Sequence, residues 1–183
     1  MTPDSQDRGP IEIRPERPGD ARAIHRVNRE AFGQPEEADL VDRLRAAVGD
    51  SGEKAWISLV ARRDSEIIGH ILFTEVTIRS GSASRSATGL APMAVLPGRQ
   101  RQGIGSKLVE AGLAACRAAG HQLIVVLGHP AYYPRFGFTP AIDFGLRCEY
   151  DAPSEAFMAL ELEAGALAGV AGTVCYRPEF RGV

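Results

Sequence analysis

The 183-residue sequence is poor in cysteine, with only Cys116, Cys148 and Cys175, and these stand at no metal-ligand spacing. Three thiols cannot all pair within one chain. The simplest expectation is therefore reduced cysteines, no metal site and a cytoplasmic location. No apolar signal segment opens the sequence, and no hydrophobic run approaches the roughly 20 residues that span a bilayer. Excess charge of either sign is missing, since 21 lysines and arginines face 23 aspartates and glutamates. With the basic residues scattered, neither nucleic acid nor an anionic membrane is an expected partner. Internal repeats and long low-complexity segments are absent as well. Two nucleotide-binding signatures fail on single residues. Gly98 and Gly103 have P-loop spacing, but Ile104 occupies the lysine position. A dinucleotide fingerprint needs a third glycine where Leu108 stands. What remains is a chain of ordinary apolar and charged content, long enough to bury a sizeable core. The expected organisation is a frayed tail over residues 1–9 and a single domain over 10–183.

The informative stretch runs from Met93 to Leu127. It reads as a strand ending near Leu96, a tight turn, a long helix and a second strand. The turn carries Gln100-x-x-Gly103-x-Gly105 where the helix begins. Unpaired N–H groups at a helix N-terminus point outward with the positive end of the helix dipole and attract anions. Glycine at 103 and 105 removes β-carbons that would hold a phosphate away from that backbone. Arg99 and Arg101 add forked donors suited to phosphate oxygens. The pattern fits a cradle for a pyrophosphate-sized anion, and a solubilising surface turn is the plainer alternative. Ile104, Leu108, Ala111 and Ala115 form an apolar stripe, with Lys107, Glu110, Ala114 and Arg117 opposite. Gly120 closes the helix as a left-handed residue past its end. Leu123–Leu127 is a continuous apolar run, as in a strand buried on both faces. Strand, helix and strand make a parallel βαβ unit. Pro92 cannot donate a ladder hydrogen bond, so a bulge or local strand separation is expected beside the cradle.

Met93-Ala-Val-Leu-Pro, Gln100-Arg-Gln-Gly-Ile-Gly and the later Ala131-Tyr-Tyr-Pro-Arg-Phe-Gly-Phe138 resemble the GNAT superfamily of N-acetyltransferases. The resemblance extends from about Ile11 to about Arg177. It implies an α/β fold with a central βαβ unit and a splayed mixed sheet, and acetyl-CoA as cosubstrate without a metal. It further implies that Met93, Ala94 and Val95 line the pantetheine and acetyl group. Arg101, Gln102, Gly103, Ile104, Gly105 and Ser106 would hold the pyrophosphate. Tyr133, four residues before Gly137, would be the catalytic acid that protonates the departing thiolate. A phenol near 10 and a thiol near 8.5 lie close enough in pKa for that transfer. Tyr132, one residue away, is expected to point elsewhere. The implied reaction is direct attack of a small-molecule or peptide amine on acetyl-CoA in a ternary complex. The alternative is a non-catalytic acyl-CoA-binding module with the same fold. Assembly into a homodimer is left open.

Elsewhere, Ile11–Arg14 reads as a first strand, and Asp20 as a possible N-cap of a helix with Ala23, Ile24, Val27 and Ala31 inward. Glu36–Val48 reads as a second helix stopped by residues 49–52. Phe32 at their junction could line the acceptor site, although a core position is the commoner fate of an aromatic. Trp56–Arg62 and Glu66–Arg79 form a hairpin, followed by a polar loop over Ser80–Ser86. Glu75 on the second arm could act as base if buried, as could His129 or water; otherwise Glu75 is an exposed carboxylate and His129 structural. Pro130 is expected to open a short helix. Asp143–Ser154 reads as irregular, Phe157–Leu162 and Gly172–Tyr176 as late strands, and Glu163–Val170 as a compact turn.

Overall fold

The computed structural model describes residues 9–48 and 56–183. Residues 1–8 of the tail expected over 1–9, and the helix stop at 49–52, lie outside the described residues. In chain order the elements are β1 (Ile11–Pro15), α1 (Ala21–Phe32), α2 (Glu36–Val48), β2 (Ile57–Arg63), β3 (Glu66–Ser80) and β4 (Ala83–Val95). There follow α3 (Ile104–Ala118), β5 (Leu123–Leu127), β6 (Thr139–Pro140), β7 (Leu146–Cys148), β8 (Phe157–Glu161) and β9 (Gly172–Cys175). The nine strands among the described residues make one mixed sheet ordered β1-β2-β3-β4-β5-β8-β6, with β9 pairing β3 and β7 pairing β9.

The helices form where periodicity placed them. Leu40, Val41, Leu44 and Val48 of α2 are buried, and Glu36, Glu37 and Asp39 meet the positive end of its dipole. Helix α1 ends at Gly33, whose left-handed backbone (φ 74°) lets its N–H donate to the Arg29 carbonyl. Asp20 does not cap α1. Its carboxylate accepts from the Arg14 guanidinium at 2.6 and 3.0 Å and from the Arg17 N–H at 2.7 Å. The Arg14 hydrogen bond holds the Asp20 carboxyl below its usual range. A strong ion partner from β1 has outcompeted the helix terminus.

The polar stretch from Ser80 to Ser86 is not a loop. Strand β3 continues to Ser80 and β4 resumes at Ala83, with Thr77 paired to Ser86 and Ser80 to Ala83. Strand β9 also pairs Thr77–Arg79, so neighbouring ladders impose an extended backbone that local composition does not favour. The three residues of β7, read as irregular, are likewise held by pairing to β9.

The expected βαβ unit is present, with β4 and β5 parallel only from Thr88–Leu90 against Ile124–Val126. Past Leu90 the β3–β4 register shifts, and the Ala91–Pro92 peptide is cis. Pro92 thus lies where the ladder between β4 and β5 ends. Leu127, the last residue of β5, is 40% exposed at this opening.

Helix α3 lies on β3 so closely that a β-carbon at Gly112 would stand 2.3 Å from the Phe73 ring. Both residues are buried, and Phe73 is 0% exposed. Gly112→Ala is therefore expected to destabilise the protein by about 1–3 kcal/mol through overpacking, despite alanine's better helix propensity. At about 2–4 °C per kcal/mol the loss is readable as a lower Tm; an unchanged or raised Tm would contradict this packing.

A buried polar chain ties α1, α2, β2 and β3 together. Asn28 Nδ2 donates to the Ile24 carbonyl (2.9 Å) and to His70 Nδ1 (3.0 Å). His70 Nε2 then carries the proton and meets Ser58 Oγ at 3.0 Å. The Ser58 hydroxyl donates to Glu16, which also accepts from Arg45 Nε at 2.7 Å. Burial, followed by the Arg45 charge, pushes the His70 pKa down from 6.5 to about 3. The unfolded chain binds this proton below pH 6.5 and the native protein refuses it. Stability should therefore fall as pH drops from 6.5 toward 3, at up to about 1.4 kcal/mol per pH unit from this residue. His70→Gln should flatten that part of a Tm–pH profile. A slope identical to the parent's would remove His70 as its source.

Candidate functional site

The end of β4 presents an unpaired edge. The Leu96 N–H donates to the Ile68 carbonyl at 3.0 Å, so in alternating backbone the N–H and C=O of Val95 face away from β3. The Val95 carbonyl is taken by Gln100 Nε2 at 3.1 Å, which pins the turn to the strand end. Met93, two residues earlier, faces the same edge.

The turn delivers the chain from this edge to α3. Arg101 and Gly103 have left-handed φ values of 61° and 80°. For glycine this costs nothing, whereas Arg101 carries roughly 1–2 kcal/mol of strain. The first helical bond ahead of α3 is from the Lys107 N–H to the Gly103 carbonyl, at 3.1 Å. The N–H groups of Ile104, Gly105 and Ser106 therefore have no intrahelical acceptor.

These groups enclose a cavity of about 530 Å³. Met93, Ala94 and Val95 line it, with Arg101, Gly103, Ile104, Gly105 and Ser106. Gln102 is not among its walls. The Gln102 amide turns to the Gly98 carbonyl (3.5 Å) and to Arg63 Nη1 (3.3 Å), because the turn aims alternate side chains outward. Sequence reasoning missed Ala31, Tyr132 and Arg135, which also line the cavity. They arrive from α1 and from the segment after β5, and no local pattern marks them.

A second cavity, of about 790 Å³, adjoins the first through Phe32, Met93 and Tyr132, which line both. Phe32 is 42% exposed between the two and is not a core residue. Gly33 ends α1 one residue later, leaving the Phe32 ring beyond the packed turns. Tyr133 lines the second cavity and is only 6% exposed. A β-carbon at Gly128 would lie 2.4 Å from its ring, and Tyr132 and Phe138 meet it edge-on at 5.2 and 5.6 Å. Burial, then the neighbouring Tyr132, raises the Tyr133 hydroxyl pKa. Tyr132 points elsewhere, as expected, but into the first cavity. A β-carbon at Gly105 would meet its hydroxyl at 2.7 Å, and the Arg135 guanidinium lies 4.6 Å above its ring. The segment is a 3-10 turn over Tyr133–Phe136, not a helix opened by Pro130. Pro134 occupies its first positions, and Gly137 (φ 94°) ends it. His129 is exposed on the wall of the second cavity, while half-buried Glu75 lines neither cavity.

A mixed sheet splayed beside a βαβ unit, with an anion cradle continuous with an open strand edge, defines an acyl-CoA-dependent transferase. A family model described as an acetyltransferase (GNAT) domain matches residues 12–141. The uncharacterized N-acetyltransferase YjhQ of Escherichia coli K12 is 42% identical over 137 residues, 74% of each chain. The uncharacterized N-acetyltransferase YhbS of the same strain is 36% identical over 171 residues, 92% of this chain and 97% of that one. The crystal structure of Escherichia coli YhbS with CoA superposes with a TM-score of 0.85 at 35% identity, covering 94% of this chain and 92% of that one. A Brucella melitensis GNAT acetyltransferase with acetyl-CoA gives 0.75 at 37% identity, covering 94% and 99%. The chain belongs to the GNAT superfamily and is an acetyl-CoA-dependent acetyltransferase.

Proposed function

We propose that this protein moves an acetyl group from acetyl-CoA to a primary amine by direct attack in a ternary complex. The observation that carries this reading is the continuity of one cavity from the Met93–Val95 edge to the bare N–H groups of Ile104, Gly105 and Ser106. That run matches a ligand with an amide-bearing arm and a pyrophosphate. The Escherichia coli and Brucella melitensis structures are complexes with CoA and acetyl-CoA, which supports the same ligand class here.

The backbone of Met93 and Val95 would pair with the pantetheine arm, beside Ala94. The cradle from Arg101 through Gly103, Ile104, Gly105 and Ser106 would hold the pyrophosphate. The Val95 N–H would stabilise negative charge developing on the thioester oxygen. An N–C bond forms as the C–S bond breaks; Tyr133 would give the sulfur its proton, and the proton shed by the nitrogen as it becomes an amide would restore the phenol. Burial keeps the phenol protonated, and an apolar wall raises the pKa of an adjacent thiolate too, so the transfer stays feasible. The attacking ammonium must first lose a proton, to water or to His129. Glu75, outside both cavities, is given no part. The three free cysteines support a reducing compartment such as the cytoplasm.

Initial rates with both substrates varied test the reading. Intersecting double-reciprocal lines are expected, and parallel lines would overturn direct attack in favour of an acetylated enzyme. Acetyl-CoA binding without turnover on a broad amine panel would point to a non-catalytic module.

A further inference from the structure

Resting on the acyl-transfer reading above, we propose that the second cavity takes a primary amine carried as a single cation on an aromatic body. Its walls are strongly apolar and aromatic, with Phe32, Leu40, Leu90, Tyr150 and Phe180 among them. Its volume of about 790 Å³ suits a compact organic molecule and is joined to the acetyl-CoA cavity at Phe32, Met93 and Tyr132. Among the described lining residues Glu37 supplies the one side-chain carboxylate, and neither lysine nor arginine lines this cavity. Glu37 is half-buried, and its carboxylate accepts from the neutral Gln34 amide, at 3.2 Å to each oxygen. A carboxylate side chain on an apolar wall matches an ammonium. A polyamine or aminoglycoside would bring further cations with no second acidic side chain to receive them, at a desolvation cost.

A second observation points to the aromatic body. Tyr176 lines the same cavity, its hydroxyl being buried. Its ring is fixed against Tyr150 (5.6 Å between centroids) and Phe180 (5.1 Å), a preformed aromatic surface for a ligand ring. An aromatic amine supplies both complements, an apolar ring and one cation.

The test uses 2-phenylethylamine and tyramine against putrescine, spermidine and a glycyl peptide. Each is titrated calorimetrically into the CoA-loaded protein and assayed by kcat/KM with saturating acetyl-CoA. The aromatic amines are expected to exceed the others by about 10-fold, the worth of one charge-assisted contact plus ring burial. Glu37→Gln should raise Kd and KM for 2-phenylethylamine about 10-fold and leave the acetyl-CoA thermal shift intact. Spermidine or the peptide binding best, or a Glu37→Gln variant with unchanged Kd, would overturn the proposal while acyl transfer stands. Aromatic amines that bind in a Glu37-dependent way without being acetylated would instead overturn this cavity's place in acyl transfer and leave the binding assignment standing. Failure of every amine to bind would overturn the assignment.

Discussion

Tyr133→Phe should lower kcat by about 10²–10⁴-fold, the usual contribution of a positioned general acid, with acetyl-CoA affinity little changed. Phenylalanine keeps the ring that lies over Gly128 and meets Tyr132 and Phe138, so only the hydroxyl is lost. The unliganded Tm should accordingly stay near that of the parent. Because burial raises the phenol pKa above its ordinary value of 10, ionisation of Tyr133 should cause no fall in kcat between pH 8 and 10. An unchanged kcat in the variant would remove Tyr133 from the reaction. Tyr132→Phe is the informative companion. Its hydroxyl faces the start of α3 in the first cavity, so its removal should act on the KM for acetyl-CoA before kcat.

The second large effect is expected at Gly105. A β-carbon there would lie 2.7 Å from the Tyr132 hydroxyl and 3.6 Å from both Sδ and Cε of Met93, inside the first cavity. Gly105→Val should push these side chains into the space above the helix N-terminus and abolish acetyl-CoA binding. In the parent, ligand at a hundred times its Kd adds about 2.7 kcal/mol. At about 2–4 °C per kcal/mol this is a thermal shift of about 5–11 °C, and the variant should show none. An unliganded Tm close to the parent's would separate lost binding from lost folding. Retention of the full shift would refute the cradle. Gly103→Ala makes a useful contrast, since a β-carbon there meets no protein atom within 4 Å. Its cost of roughly 1–2 kcal/mol comes from the left-handed backbone at φ 80°.

Local chemistry accounts for much of the fold. The α3 stripe, the left-handed Gly120, the buried run of β5 and the proline at the strand opening are each written in a few consecutive residues. So is the cradle, because a helix N-terminus exposes its own N–H groups whatever surrounds it. Eight of the nine residues expected to contact acetyl-CoA line the first cavity. Gln102 fails because periodicity gives no direction to a side chain in a turn.

What sequence by itself determined about this protein is thus the βαβ unit and the glycine turn with its bare helix N-terminus, both built from contacts within a few residues of one another. Tertiary structure decided the rest. It extended β3 and β4 through a polar stretch, drew Asp20 away from its helix, set Phe32 and Tyr132 between two cavities, and placed Tyr133 in the second alone. It also left Glu75 outside and brought Glu37 and Tyr176 to a single cavity. These outcomes depend on partners distant along the chain, and the free energy of such contacts is set by packing that no local window contains.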